Sequence, residues 1–426
     1  MTLFDVVAVV AIVVLVVLLS LVLFEPGLPY VVRARLAEPG SPEFPALLSA
    51  LVDTPLRAHS AVTLLSGAGE FYEAELKAIA EARHSVHLEA YIFHDSGIAR
   101  RFLAALTECA RRGVRVRLVI DAWGSMRLPY RYFSSLRDAG GEVRWYQPFR
   151  WRTFKRYNNR THRELIVIDG RLAFIGGAGI AAWWTDGAGG GPPWRDTMVR
   201  VEGAIATAVQ ACFMENWLES SGEVLADRSD FPLAARDLER EGEARGLVVI
   251  STPSAGLATR AHILFQLLLA ASRKSVHIQS PYFVPDRGLV RELTAAAKRG
   301  VRIRIVVPGR HNNHPIARLA SRRRYGALLK AGIEIHEYQP GMIHSKLLVV
   351  DEAWVVTGST NFDNRSFGLN DEVNLAVQDP PLAVRAMAQF AADLRSCKPV
   401  SLEDWQRRSL GERVLAALGA VIERQE

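Results

Sequence analysis

The sequence contains few cysteines for its length, and their placement excludes two classes of protein. Only three occur among 426 residues, Cys109, Cys212 and Cys397, and they are far apart in the chain. An odd number of widely spaced cysteines neither forms a disulfide framework nor matches the ligand spacing of a zinc site. We therefore expect a reducing compartment and no zinc.

Two further patterns are missing. The glycine-rich segment 186–193 lacks the lysine followed by serine or threonine that a phosphate-cradling nucleotide loop requires. The chain also lacks a cluster of carboxylates suited to magnesium. The sequence therefore predicts neither a bound nucleotide nor a metal, and we expect no cofactor.

The chain is long and carries an excess of positive charge. Its net charge is +7 and its isoelectric point is about 9.4, which favours acidic partners such as nucleic acid, anionic lipid or phosphate esters. Charge alone does not choose among these partners. The length is enough for two or three domains with full-sized cores.

An apolar run lies near the N-terminus. Residues 6–24 are apolar apart from Ser20, which is long enough to cross a bilayer as a helix. No lysine or arginine precedes the run, so it does not match a cleaved signal peptide. Because Arg33 and Arg35 follow it, the positive-inside rule places the rest of the chain in the cytoplasm. We expect a single-pass cell-membrane protein anchored by residues 1–25.

Residues 344–351 combine a histidine, a lysine and an aspartate with an apolar run. On a strand, the alternation of side chains puts His344 and Lys346 on the same face. The apolar residues 347–350 predict a strand covered on both faces. An imidazole beside an ammonium suits attack on a phosphodiester, with the lysine binding phosphoryl oxygens. Taken alone, the segment fits equally an ordinary strand that ends in a surface histidine.

A second copy of this pattern strengthens the chemical interpretation. His162 and Asp169 repeat the ends of the motif, but Glu164 occupies the position of the lysine. Gly176 and Gly177 follow the first copy as Gly358 and Ser359 follow the second. Gly179 stands where the first copy would repeat Asn361.

Other segments repeat in the same order. The pairs are 85–93 with 275–283, 99–112 with 289–299, 114–121 with 301–306, and 146–148 with 338–340. Matched segments in matched order indicate an internal duplication. Strands that alternate with helices predict an α/β fold.

This duplicated pattern resembles the phospholipase D superfamily, and the order of segments looks most like its bacterial cardiolipin synthase branch. The resemblance covers residues 64–396 or so. It implies two tandem α/β/α domains related by pseudo-two-fold symmetry, which we expect after the anchor. The predicted units are a linker at 26–58, a first domain at 59–222, a linker at 223–245, a second domain at 246–398 and a tail at 399–426.

The tail has a basic amphipathic pattern, which fits a helix lying on a membrane surface or one packed against the domain. Residues 149–161 form a basic, aromatic insertion without a counterpart in the second copy. A loop that meets lipid phosphates at the site entrance and a solvated surface loop are equally good interpretations of this insertion.

The resemblance also implies a two-step transfer. One imidazole attacks the phosphorus, giving a phosphohistidine, and the other protonates the leaving alkoxide; by analogy with the family, His162 attacks. It also implies that the motif aspartates mainly support the structure. The catalytic positions are then His162, Glu164, Asp169, His344, Lys346 and Asp351.

The remaining polar residues are assigned to substrate binding. Ser359 and Asn361 can donate hydrogen bonds to phosphoryl oxygens. Asp196 and Glu372 resemble the acids that orient the histidine of the opposite half, although each also fits an ordinary surface acid. The full substrate-binding set is Ser359, Asn361, Asp196, Glu372, Arg160 and Lys155.

Glu164 is the main departure from the family pattern, because a carboxylate repels a phosphodiester that a lysine attracts. Three explanations are open. A nearby cation, Arg163, Arg160 or Lys155, replaces the lost charge; Glu164 holds a hydroxyl of the headgroup; or the first half is degenerate and the protein inactive.

The expected function is a phosphatidyltransferase that acts on phosphatidylglycerol, with anionic phospholipid and the membrane as partners. The alternatives are a phospholipase D-type hydrolase, a nuclease of the same superfamily and an inactive membrane scaffold. The apolar N-terminal run and the lack of evident stacking platforms argue against nucleic acid. The sequence does not predict the oligomeric state.

Overall fold

The computed structural model describes residues 2–23, 31–33, 36–149, 156–227, 230–231, 243–254, 259–409 and 412. Two helices precede the repeated units, α1 (Leu3–Leu23) and α2 (Phe44–Leu51). Strands and helices then alternate through the chain as the sequence predicts.

The first unit contains seven full strands and a short one, β5. Its elements are β1 (Arg57–Ser66), α3 (Ala68–Glu81), β2 (Ser85–Ala90), α4 (Gly97–Arg111), β3 (Arg115–Asp121), a 3-10 turn (Tyr130–Phe133), α5 (Ser134–Asp138), β4 (Glu142–Tyr146), β5 (Arg160–Thr161), β6 (Glu164–Ile168), β7 (Leu172–Gly176), α6 (Ala182–Thr185), a second 3-10 turn (Ala188–Gly190), β8 (Thr197–Gly203) and α7 (Ala204–Ser221).

The second unit repeats this order. Its elements are β9 (Ala244–Ser251), α8 (Arg260–Ala271), β10 (Ser275–Gln279), α9 (Arg287–Lys298), β11 (Arg302–Pro308), α10 (Pro315–Lys330), β12 (Glu334–Tyr338), β13 (Leu347–Val350), β14 (Trp354–Gly358), α11 (Asn364–Gly368), β15 (Asn370–Gln378), α12 (Pro380–Leu394), β16 (Cys397–Pro399) and α13 (Leu402–Gln406).

One mixed sheet runs through both units. The second unit has the spatial order β12-β11-β10-β13-β14-β15-β9, and the first has the same order in β4-β3-β2-β6-β7-β8-β1. The units join where β1 pairs antiparallel with β9. The predicted α/β class is confirmed, and the strand order of one unit is repeated in the other about the β1–β9 junction.

The equivalent helices α4 and α9 begin and end by the same local chemistry. The side chain of Ser96 accepts a hydrogen bond from the amide of Ala99, and that of Asp286 accepts one from Leu289, which satisfies an amide of each first turn. Gly113 and Gly300 follow the two helices with φ of +84° and +89°, a conformation that favours glycine. Both helices therefore end just before a glycine, and the chain enters a buried parallel strand.

A shared apolar core fixes one unit against the other. Val209 and Phe213 of α7 belong to the same buried cluster as Leu382 and Ala386 of α12. This cluster covers one face of the sheet across the junction. Because burial of such side chains is the main stabilising term in folding, the two units form a rigid frame for the site at their boundary.

The predicted linker at 26–58 is wrong for its later part. Phe44, Leu48 and Val52 are fully buried in the core of the second unit. The ring of Phe44 packs edge-on against Trp354, whose indole nitrogen donates to the carbonyl of Pro39 at 2.8 Å. Apolar side chains spaced along α2 thus dock this segment on the second unit.

The N-terminal helix α1 carries exposed apolar side chains, among them Ile12 and Leu15 at 60% and 61% exposure. Among the helices of the described chain, none combines the length and hydropathy needed to cross a bilayer. The predicted span continues to residue 24, which lies outside the described residues.

At the other end of the chain, α13 packs against the second unit. The indole of Trp405 donates to the carbonyl of Arg322 at 2.6 Å, and the guanidinium of Arg408 stacks on its ring. This part of the tail follows the packed alternative. The rest of the predicted amphipathic pattern, at 410–411 and 413–426, lies outside the described residues.

Candidate active site

The two motif histidines lie on the same cavity, one from each unit. His162 and His344 both line an opening of about 500 Å³ at the boundary between the units. The amide of His344 donates to the carbonyl of Arg195 at 2.7 Å, and the amide of His162 donates to that of Asp371 at 2.9 Å. Each histidine is therefore held by the backbone of the opposite unit.

A buried acid of the opposite unit contacts each imidazole. Nδ1 of His344 lies 2.8 Å from Oδ2 of Asp196, and Nδ1 of His162 lies 3.1 Å from Oε1 of Glu372. Both carboxylates are fully buried. A carboxylate that accepts from Nδ1 fixes the ring and its tautomer, which leaves Nε2 available for chemistry. These are the contacts that the resemblance implied for Asp196 and Glu372.

The environment of each acid keeps it ionised. Asp196 accepts from the amide of Thr197 at 2.8 Å and from the indole of Trp184 at 3.0 Å. Burial acts to raise the pKa of Asp196, but the hydrogen bond to His344, the charge of Lys346 and the amide of Thr197 lower it below its usual value. The pKa of Glu372 is likewise lowered, by the imidazole of His162 against the effect of burial.

Ser359 does not face a substrate. Its hydroxyl is fully buried, donates to Glu372 and accepts from the amide of Val373 at 3.0 Å. The assignment of Ser359 to substrate binding is therefore wrong. The hydroxyl acts on the acid that holds His162, because its single proton is already used there.

Lys346 is buried against His344. Its ammonium lies 2.9 Å from Nδ1 and 3.2 Å from Nε2 of the ring and donates to the carbonyl of His344 at 2.9 Å. Burial lowers the pKa of Lys346 to about 8. Burial and the neighbouring ammonium lower the pKa of His344 to about 4. The imidazole of His344 is therefore neutral at pH 7.

A glycine makes room for this lysine. A Cβ on Gly177 would lie 2.9 Å from the ammonium of Lys346 and 3.0 Å from Oδ1 of Asp196. Any side chain at this position would displace the lysine or the acid. Gly177, which follows the first copy of the motif, thus leaves room for the ammonium of Lys346 from the second copy.

Glu164 is buried beside the same ammonium. Its Oε1 accepts from the amide of Ile92 at 3.1 Å. Burial raises its pKa well above the usual range, more than the amides of Ile92 and Tyr91 and the charge of Lys346 lower it. A protonated carboxyl carries no charge, so it does not repel a phosphodiester. A Cβ on Gly179 would lie 2.8 Å from this oxygen, which accounts for glycine where the second copy has Asn361.

Of the three cations expected to replace the missing lysine, the two that the structure describes are held by other groups. Arg163 is fully buried on the other face of β6, where it donates to the carbonyl of Cys212 and to Glu215. Arg160 lines the cavity but is held by the carbonyl of Gln147 at 2.9 Å and lies 3.5 Å from Asp121. Lys155 lies outside the described residues.

The motif aspartates do not reach the cavity. Asp169 accepts from the amides of His84 and Ser85 at 2.7 and 2.9 Å. Asp351 accepts from Lys274 and Ser275 at 2.8 and 2.9 Å. Their catalytic assignment is wrong, because each carboxylate binds the start of the neighbouring strand, at the end of the sheet opposite the histidines.

Comparison with known proteins shows to which family the chain belongs. A family model described as "Cardiolipin synthase, PLD-like domain" matches residues 76–188 and 264–394. The chain belongs to this phospholipase D-like cardiolipin synthase family. A cardiolipin synthase of Geobacillus sp. (strain WCH70) is 32% identical over 370 residues, which cover 87% of this chain and 73% of that protein. The cardiolipin synthase 1 of Staphylococcus epidermidis is 32% identical over 374 residues, which cover 87% of this chain and 75% of that protein.

A solved structure agrees with the fold of this cardiolipin synthase-family chain. A phosphatidylserine synthase of Haemophilus influenzae superposes with a TM-score of 0.68 at 15% identity and covers 89% of this chain and 98% of that one. At this level of identity, the likeness supports the fold alone.

Several cavity residues of this family member were not predicted from its sequence. Most of them follow the carboxyl ends of parallel strands, where open α/β sheets bind their ligands, whereas Trp194 precedes β8. The ring of Tyr91 contacts that of His162 at 5.2 Å, and the ring of Trp194 contacts that of His344 at 5.1 Å. The additional lining residues after β2, β3, β10 and β11 include Tyr91, His94, Trp123, Tyr282 and His314.

Asn361 also lines the cavity. Its side-chain oxygen is buried and has no hydrogen-bond partner among the described residues. A buried amide without a partner is costly unless a ligand completes its hydrogen bonds. Within the described chain, no group of three or more histidine, cysteine or acidic side chains is arranged to hold a metal ion.

Proposed function

We propose that this protein is a phosphatidyltransferase that moves a phosphatidyl group from one phosphatidylglycerol to a hydroxyl of another, forming cardiolipin and releasing glycerol. The observation that carries the proposal is the pair of imidazoles on one cavity, each oriented by an acid of the opposite unit. Membership in the cardiolipin synthase family supports the choice of substrate.

The transfer takes place in two steps. In the first, Nε2 of one histidine attacks the phosphorus, the bond to the glycerol headgroup breaks, and the other imidazole gives its proton to the leaving alkoxide. In the second, that imidazole takes the proton from a hydroxyl of the next phosphatidylglycerol, which attacks the phosphorus and frees the first histidine. One histidine acts as nucleophile throughout, and the other acts first as acid and then as base, which completes the cycle.

The environment of the histidines favours His344 as the nucleophile, rather than His162 as the resemblance implied. The ammonium of Lys346 lies within 3.2 Å of both ring nitrogens of His344 and keeps that ring neutral. A neutral imidazole whose Nδ1 donates to Asp196 presents the lone pair of Nε2 to the cavity. His162 then serves as the acid and base.

The phosphoryl oxygens are bound chiefly by the second unit. Lys346 supplies a positive charge for them. The side-chain oxygen of Asn361, unpaired among the described residues, is an acceptor, so it suits a hydroxyl of the headgroup. Glu164, kept neutral by burial, offers a hydroxyl-like donor or acceptor in place of a charge. This arrangement supports an active enzyme with a modified first half.

The membrane attachment belongs to the same proposal. The apolar residues 6–24 are long enough to cross a bilayer as a helix, which supports a single-pass anchor at the cell membrane. By the positive-inside rule, Arg33 and Arg35 after the run favour a cytoplasmic position for both units, next to the lipid substrate.

The direct test uses purified full-length protein with phosphatidylglycerol vesicles and mass spectrometry of the lipids. Cardiolipin together with glycerol supports the proposal, and His162→Ala and His344→Ala should each abolish both products. Phosphatidic acid instead of cardiolipin would make the protein a hydrolase. Unchanged lipids would favour the scaffold, or the nuclease if the protein cleaves nucleic acid.

A further inference from the structure

Four large apolar side chains are exposed between residues 123 and 149 of the first unit. Trp123, Met126, Tyr130 and Phe149 are 47%, 61%, 61% and 70% exposed. The rings of Trp123 and Phe149 both contact the ring of Tyr157, at 5.6 and 5.4 Å. Contiguous exposed apolar surface on a folded protein marks an interaction site more often than single exposed residues do. We call these four residues the rim surface.

The rim surface borders the cavity that holds the histidines. Trp123, Met126 and Tyr157 line that cavity, the ring of Phe149 contacts that of Tyr157, and the ring of Tyr130 packs on Trp145 of β4. A phospholipid whose phosphate lies at the histidines must pass its acyl chains through this opening. The rim surface is therefore where lipid tails would leave the protein, an argument that rests on the proposed function.

The charge around the rim surface is positive. Arg127 and Arg131 are exposed, and residues 123–131 contain no acidic side chain. The described part of the neighbouring segment, residues 156–161, contains Arg156 and Arg160 and no acidic side chain. Arg156 in that segment is exposed, although it also contacts Glu219 at 3.4 Å. A cationic border around exposed aromatic rings complements the surface of an anionic bilayer.

We propose that the rim surface inserts shallowly into the interface of an anionic lipid bilayer, so that the cavity opens directly onto its lipid substrate. Tryptophan and tyrosine favour the level of the lipid headgroups because their rings are apolar and carry one polar group. This attachment is separate from the N-terminal helix, and it orients the first unit toward the membrane. Lipid can then enter the cavity without leaving the bilayer.

The test measures the depth of single labelled positions in the full-length protein. A Cys397→Ser background removes the partly exposed native cysteine, and the other two are buried. Met126→Cys and Phe149→Cys then each receive an environment-sensitive fluorophore. Glu81→Cys is the control, since Glu81 is 68% exposed at the end of α3, which leads into the start of β2 opposite the cavity.

In phosphatidylglycerol vesicles that contain lipids with a quencher on the acyl chain, we expect strong quenching at positions 126 and 149 and little at 81. Arg127→Gln with Arg131→Gln should weaken membrane contact at the rim by about five-fold per arginine on anionic vesicles and little on neutral ones. Equal quenching at 81, 126 and 149 would overturn the proposal. So would full exposure of 126 and 149 to water, which would leave a protein partner as the occupant.

The labels report contact with the bilayer whether or not lipid is turned over. Quenching at the rim without cardiolipin formation would contradict the proposed function and leave the rim surface supported. Cardiolipin formation with labels 126 and 149 exposed to water would support the proposed function and contradict the insertion of the rim surface.

Discussion

Nδ1 of His344 lies 2.8 Å from Oδ2 of Asp196, a residue 148 positions away in the other unit. His162 and Glu372 form the corresponding pair across 210 positions. Each unit thus supplies a histidine to the acid of its partner unit, so neither unit alone contains a complete pair. The site exists only where the continuous sheet and the shared core hold the units together.

Removing the charge of Asp196 tests this exchange. Asp196→Asn should lower kcat about 100-fold, because an amide neither fixes the tautomer of His344 nor stabilises its charged form. The measurement is cardiolipin formation at saturating lipid. Asp186→Asn, at an exposed acid near the end of α6, is the matched control and should stay within about two-fold. Equal activity in the two variants would remove Asp196 from the mechanism.

Lys346 predicts an alkaline limb in the pH profile. Its pKa is lowered to about 8, so the ammonium is present below that pH and is lost as pH rises through it. We expect kcat/KM to fall above about pH 8, since phosphate binding loses its cation. In Lys346→Arg the guanidinium stays charged, and the limb should disappear even if the rate is lower. A limb that persists unchanged in the arginine variant would assign it to another group.

Glu164 should behave as a neutral acid. Glu164→Gln keeps the shape of the protonated carboxyl and should retain activity within about three-fold. Glu164→Lys places a second ammonium beside Lys346 in a buried site and leaves the amide of Ile92 without its acceptor. We expect it to lose roughly 3 kcal/mol of stability and most activity. Urea unfolding measures the stability, and lipid turnover measures the activity. A stable and active lysine variant would instead show that position 164 is a phosphate-binding position from which the lysine has been lost.

Asp351 should matter for stability and not for chemistry. Asp351→Ala removes an acceptor shared by three backbone amides, those of Arg273, Lys274 and Ser275. The free energy of unfolding should fall by about 3 kcal/mol, with kcat per folded molecule unchanged. Glu81→Ala at an exposed position serves as the control. A drop in kcat without loss of stability would restore the catalytic assignment.

The sequence carries most of the information about this site, because the duplicated motif and the spacing of Asp196 and Glu372 are local patterns. The face of the sheet to which each side chain points can also be predicted from the sequence. Arg163 adjoins Glu164, and alternation along a strand sends neighbouring residues to opposite faces. Applied to this pair, the same rule excludes Arg163 as a replacement for the missing lysine.

Other features depend on contacts between distant segments. The protonated state of Glu164 follows from its burial beneath Ile92 and beside Gly179, which no local pattern reveals. The docking of α2 depends on Trp354, far along the chain. The role of Ser359 likewise depends on the position of Glu372 across a β-ladder. Tertiary contacts decide each of these roles.

In the proposed mechanism, two histidines, one from each unit, act on one lipid phosphate. The most direct measurement is peptide mapping after incubation with phosphatidylglycerol labelled at the phosphate, followed by an alkaline quench that preserves phosphohistidine. We expect label on the peptide that contains His344 in the wild type and none in His344→Ala. Sustained cardiolipin formation with no label on either histidine would contradict it.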